Sequence, residues 1–192
     1  MYNAYITRIK NIRKHSNADR LMVGQCFGSD IIVGKDIKEN ELGVYFPTDG
    51  QLGIEYAEVN NLLRKKDEQG NNIGGYLDPD KRNIRTIKLR GEYSDGLFMP
   101  LESLNDFTDI TKLKEGDEIS VLKGIVICNK YIPKTNSSNT NSSNIDSIKN
   151  NKYPYFYEHS DTKHLSYFTN SLREGELCYV TLKLHGTSAR TS

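Results

Sequence analysis

The chain has no tryptophan, only three cysteines and five prolines in 192 residues, and no long apolar run. Each shortage excludes something. Cys26, Cys128 and Cys178 are odd in number, far apart, and set among apolar neighbours such as Phe27, Ile127 and Val180. They read as core thiols of a reducing compartment rather than as a disulfide framework. His15, His159, His164 and His185 are scattered, and no CxxC or HExxH pattern occurs, so no structural zinc site is expected. No stretch approaches the roughly 18 apolar residues of a membrane span, and residues 1–14 are too charged for a signal peptide. The expected address is the cytoplasm, with no membrane partner. Charge of one sign is also missing: 26 basic and 25 acidic side chains leave a net +1, so only local patches can attract nucleic acid. No phosphate-loop, dinucleotide fingerprint or Ser/His/Asp triad can be assembled, which sets aside P-loop ATPases and serine hydrolases.

What is present divides into two textures. With 36% apolar residues, the chain can bury one modest core, or one small domain and part of a second. From 135 to 151, thirteen of seventeen residues are Ser, Thr or Asn. Such a segment cannot bury enough apolar surface to offset its ordering entropy, and reads as a linker. Before it, short strand-like runs at 4–12, 21–27, 31–33, 43–46, 84–89, 97–99 and 119–128 are punctuated by Gly28-Ser29-Asp30, Thr48-Asp49-Gly50 and Glu115-Gly116-Asp117. That spacing predicts a small β-barrel, with Ser29-Asp30 as a hairpin turn. Tyr56, Val59, Leu62 and Leu63 recur at helical spacing and predict a helix over 54–66, ended by Arg64-Lys65-Lys66. After the linker, Ser160 or Asp161 is a plausible N-cap for a helix carrying Leu165, Phe168 and Leu172 on one face, with Gly175 as its stop. A strand over 176–184 then puts Lys183 opposite the more apolar set Cys178, Val180, Leu182 and Leu184.

Two basic groups lie in the first part: Arg8, Lys10, Arg13, Lys14 and Arg20, and then Lys81, Arg82, Arg85, Lys88 and Arg90. Tyr2 and Tyr5 accompany the first, Tyr93 and Phe98 the second. Cations interleaved with rings suit a nucleic-acid surface; equally, charges on exposed strands are ordinary solvation. Glu158, His159, Asp161 and Lys163 form a further polar cluster, either a pocket lining or a capped, solvated first helical turn.

Residues 182–190 read Leu-Lys-Leu-His-Gly-Thr-Ser-Ala-Arg. A lysine at a strand end can be held rigidly, and Gly186 lets the backbone turn close to a phosphate. The run Lys183-Leu184-His185-Gly186-Thr187-Ser188 resembles motif I, Lys-x-[Asp/His]-Gly, of ATP-dependent RNA ligases. Residues 156–163 resemble the segment entering the ligase domain, and the chain from residue 1 to about 125 resembles the OB-like N-terminal module of one RNA ligase family. The resemblance implies a mainly β protein with some α: an OB-like β-barrel over 1–132, a polar linker over 133–152, and the truncated start of an α+β nucleotidyltransferase domain over 153–192. It implies Lys183 as the catalytic nucleophile, with His185, Gly186, Thr187, Arg190, Glu158 and His159 contacting the nucleotide. It implies ATP with Mg2+ or Mn2+ as cofactors and RNA as partner, including an RNA/DNA hybrid or nicked duplex. With nine residues after the lysine, the chain by itself is expected not to ligate. The alternative is a non-catalytic OB-like module over 1–128 that binds nucleic acid or protein.

Overall fold

A computed structural model of the chain describes residues 2–71, 73–132 and 173–180. The chain divides into two compact units, Met1–Pro133 and Lys134–Ser192. In the first, thirteen short strands and one short helix follow in order: β1 Ala4–Arg8, β2 Lys10–Lys14, β3 Leu21–Cys26, β4 Ser29–Gly34, β5 Leu42–Phe46, β6 Gly50–Leu52, α1 Ile54–Val59, β7 Ile87–Leu89, β8 Glu92–Ser94, β9 Leu97–Pro100, β10 Glu118–Ile119, β11 Val121–Leu122, β12 Ile125–Val126 and β13 Cys128–Lys130. Two 3-10 turns, Leu101–Leu104 and Ile110–Lys112, lie between β9 and β10.

The pairing makes a barrel. β1 lies between β10 and β5, β5 pairs with β9, and β3 lies between β2 and β4, all antiparallel. β4 meets the segment of β8 and β9 through the Asp95 N–H, which donates to Asp30 O at 2.8 Å, and the Ile32 N–H, which donates to Ser94 Oγ at 3.0 Å. The ring therefore runs β1/β2, β3, β4, β8/β9, β5 and back to β1, a five-stranded Greek-key barrel. The small barrel expected from the sequence is present.

Alternation along β1 and β5 explains the core. Ala4, Ile6, Val44 and Phe46 are fully buried and pack in one cluster with Leu52, Tyr56, Ala57, Leu104 and Phe107. The Tyr56 ring sits 5.4 Å from Phe46 and 5.6 Å from Phe107, and its hydroxyl meets Ser103 Oγ at 2.8 Å. Tyr5 and Tyr45, paired across the strands, take the opposite alternation and meet Phe27 at 5.6 and 5.9 Å.

Several boundaries differ from the sequence expectation. The helix stops at Val59 instead of 66, because Asn60 caps it and Asn61 turns to a positive φ of 51°; asparagine tolerates that region where most residues do not. Leu62 and Leu63 are still buried, but in a loop. The run 4–12 is two strands parted at Ile9, and the second is irregular, with Asn11 at φ 54° and a register shift against β3 between Lys10 and Arg13. The run 84–89 is a strand only from Ile87, and 119–128 is divided by the turn at Lys123-Gly124. The first hairpin turns at Phe27 and Gly28, both at positive φ, so Ser29-Asp30 already belong to β4. In the second unit, the expected strand over 176–184 is not formed across the described residues 176–180. Leu177, Tyr179 and Val180 are exposed there, and so is Cys178, against its reading as a core thiol. A strand needs a paired ladder, and no such partner meets this run among the described residues. Cys26 and Cys128 are buried as expected, and burial pushes both thiols up to about 12.

Candidate nucleic-acid interface

Lys183, His185, Gly186, Thr187, Arg190, Glu158 and His159 lie outside the described residues, as do the expected helix after Asp161 and the linker. The second unit is described only around Gly175, at φ 83°, where the Glu176 N–H donates to Arg173 O at 3.1 Å.

In the first basic group, Arg8 and Arg13 are committed to the protein itself. The Arg13 guanidinium donates to both carboxylate oxygens of Glu92, at 2.9 and 2.7 Å, and lies 3.6 Å from Asp30. Arg8 pairs with Glu115 at 3.2 Å and donates to Asn40 O at 2.7 Å. Tyr5 is buried, and the half-buried Tyr2 ring packs against the core cluster while its hydroxyl donates to Pro47 O at 2.5 Å. Lys10, Lys14 and Arg20 remain exposed on or beside β2.

The Arg13 fork has a measurable signature. Hydrogen bonds from Arg13 and Ser16 hold the Glu92 carboxylate down to about 2. A carboxyl depressed by folding stabilises above its unfolded value, ordinarily near 4.3, and loses that contribution as pH falls toward its folded value. Thermal melts should therefore show stability falling between about pH 5 and 2, and Glu92→Gln should flatten that part of the profile. An unchanged profile in Glu92→Gln would show that the fork does not couple β2 to β8.

The second basic group splits. Arg82 is structural: its Nε donates to Leu52 O at 3.1 Å and its Nη1 to Pro79 O at 2.9 Å. Arg90 reaches back to Asn17 O at 3.5 Å, Lys88 lies 5.0 Å over the Tyr93 ring, and Phe98 is buried. Lys81 and Arg85 are exposed and line a groove of ≈ 280 Å³. Arg64, Asn83, Tyr76 and Tyr131 line it with them, over a floor that includes Leu77, Ile84 and Leu97.

The groove belongs to the long connection between β5 and β9, and backbone bonds hold its walls. Arg64 N–H donates to Leu77 O at 2.8 Å, Leu77 N–H to Leu62 O at 3.0 Å, and Ile73 N–H to Lys65 O at 2.9 Å. Ile84 N–H donates to Gly50 O at 2.7 Å, and Tyr131 N–H to Asp49 O at 2.9 Å. Gly75 has no room for a β-carbon beside Leu62 O, so the loop closes tightly there. Asp78 sets the turn that presents Lys81: its Oδ1 accepts the N–H groups of Asp80 and Lys81, both at 3.0 Å. Those bonds, with Lys81 and Arg64 nearby, hold its carboxyl below the usual range. Three cations against one committed carboxylate leave the groove net positive. Tyr76 is 49% exposed, yet the groove walls desolvate its hydroxyl and push the phenol up to about 12. Its exposure is what governs access to the ring.

The sequence reading did not single out Arg64, Tyr76, Asn83 or Tyr131 for this site. Arg64 stood in it as a helix-end charge, and Tyr131 is 67 residues away in the chain, brought in by the pairing of β13 with β6. The available signal was the Gly-rich and basic texture of 64–85 around the single ring of Tyr76. Among the described residues no group of three or more His, Cys, Asp or Glu is placed to hold a metal ion.

A family model described as an OB-fold domain matches residues 3–101. Among solved structures, the Naegleria gruberi RNA ligase with PPi is 22% identical to this chain at a TM-score of 0.51, over 70% of this chain and 36% of that one. A point mutant of the same ligase with ATP and Mn gives 22% identity and a TM-score of 0.49, over 69% and 36%. At that identity the likeness is one of fold. The chain spans 36% of the length of these ligase chains. No curated protein matches it.

Proposed function

The chain belongs to the OB-fold domain family, whose model matches residues 3–101, and from that premise we propose that it is the RNA-binding N-terminal part of an ATP-dependent RNA ligase. The observation that carries the RNA-binding half is the groove between β5 and β9. OB-folds bind oligonucleotides through the loop between their fourth and fifth strands, and here that connection carries Arg64, Lys81, Arg85 and Tyr76 around one concavity. The ligase half rests on the run Lys183 to Ser188 and its resemblance to motif I. In this reading residues 1–132 are the module, 133–152 the linker, and 153–192 the first part of the adenylation domain.

The chemistry that follows is three phosphoryl transfers. The neutral Nζ of Lys183 attacks the α-phosphorus of ATP, a P–N bond forms, and the P–O bond to pyrophosphate breaks. The RNA 5′-phosphate then displaces the lysine and takes the AMP. A 3′-hydroxyl attacks that 5′-phosphorus and releases AMP, sealing the strand. His185, Gly186, Thr187 and Arg190 border the nucleotide in this assignment, with Glu158 and His159 from the segment before it. Mg2+ or Mn2+ accompanies ATP.

The test uses the full-length protein that carries this sequence, ATP, a divalent ion, and RNA ends bearing a 5′-phosphate and a 3′-hydroxyl. Joined product together with AMP-capped RNA is expected. A folded protein that yields neither, yet still binds RNA through this barrel, would favour the non-catalytic module instead.

A further inference from the structure

We propose that the groove holds one unpaired nucleotide of a single strand, its base against Tyr76 and the apolar floor and its flanking phosphates at Arg64, Lys81 and Arg85. This deepens the RNA-binding reading and rests on it. Three observations point to it. The groove's ≈ 280 Å³ falls just below the roughly 300–1,000 Å³ of drug-sized ligand pockets, a scale that suits a single flat base and not a helical stack. Its materials are segregated: buried Leu77, Ile84 and Leu97 lie at the floor, while Tyr76, Lys81 and Arg85 are exposed. That division matches a nucleotide, which has an apolar π-face and a charged backbone.

The third observation concerns commitment of charge. Arg8, Arg13 and Arg82 spend their guanidinium donors on acids or carbonyls of the fold. The side chains of Lys81 and Arg85 make no hydrogen bond or ion pair within 4.0 Å among the described residues. Arg64 makes one bond, its Nη2 donating to Tyr76 O at 3.2 Å. That bond fixes the guanidinium next to the ring it would serve and leaves other donors open. A base pair would shield the Watson–Crick edges and widen the ligand, so the groove selects against duplex. Stacking tolerates any base, so little sequence preference is expected.

The experiment is fluorescence anisotropy of the 192-residue chain with a labelled single-stranded oligouridylate, competed by unlabelled single-stranded or duplex RNA across a salt series. Tyr76→Leu should weaken binding roughly ten- to a hundredfold without changing the salt slope. Arg85→Ala should weaken it and lower the slope by about 0.7, the value for one phosphate contact on a single strand. Arg85 makes no bond to the loop, so this variant stays clear of misfolding even where Arg64→Ala disturbs Tyr76. Lys10→Ala with Lys14→Ala, on β2, should have the smaller effect. Wild-type chain that binds RNA while both groove variants bind as tightly overturns the groove assignment alone. Duplex that competes as well as single strand overturns the unpaired-nucleotide reading. Wild-type chain that binds no RNA at all overturns the RNA-binding proposal on which this one rests.

Discussion

Replacing Lys183 with alanine should abolish transfer of AMP from ATP to the full-length protein, a loss of at least roughly a thousandfold, because the attacking atom itself is removed. Lys183→Arg sharpens the test. Arginine keeps the positive charge that would hold a triphosphate, but its guanidinium stays protonated in proteins and has no lone pair to offer phosphorus. If Lys183 serves only as a cationic contact, arginine should rescue much of the activity; if it is the nucleophile, arginine should be as inactive as alanine. Incorporation of α-labelled ATP, read on a denaturing gel, measures both variants.

The second large effect falls on the fold. Gly53→Ala should destabilise the barrel by about 3 kcal/mol or more, a sizeable part of the roughly 5–15 kcal/mol that holds a domain together. Conformation is not the reason: Gly53 has φ −59° and ψ 146°, which alanine adopts freely. Space is the reason. A β-carbon there would overlap Val126 O, a backbone atom that no rotamer change can move. Gly53 also ties two elements together, its N–H donating to Ile127 O at 2.9 Å and its carbonyl accepting the Ala57 N–H at 3.0 Å. Pushing these apart lifts α1, and with it Tyr56 and Ala57, from the core cluster. Gly34→Ala is the control, since a β-carbon there meets nothing within 4 Å. Thermal melts should place Gly34→Ala near wild type and Gly53→Ala on the order of 10 °C lower. A Gly53→Ala melt matching wild type would contradict the packing of α1 against β12.

Much of the barrel was legible because its signals are local. The runs at 21–27, 43–46 and 97–99 have apolar residues at strand spacing between turn residues, and they became β3, β5 and β9. The helix length was misjudged because helical spacing continues through Leu62 and Leu63, whereas Asn61 at positive φ ends the helix and those leucines enter the core from a loop. The interface was only partly legible, for a different reason. Lys81 and Arg85 read as cations near rings, but whether a cation is available depends on distant partners. Arg13 finds Glu92 79 residues away, and Arg82 finds Leu52 O 30 residues away. Composition cannot separate a committed arginine from an open one. Nor does spacing bring Arg64, Tyr76 and Tyr131 to one groove; the pairing of β6 with β13 and the ladder between 62 and 77 do that.

The most direct test of the central claim is to map the adduct. Full-length protein incubated with ATP and Mg2+ or Mn2+, without RNA, is digested and its peptides sequenced by mass spectrometry. The account predicts one AMP per molecule, on the peptide containing residues 182–190, bonded to Lys183 through an acid-labile phosphoramidate. AMP found on another residue, or no adduct in a protein whose melt shows an intact barrel, would contradict it.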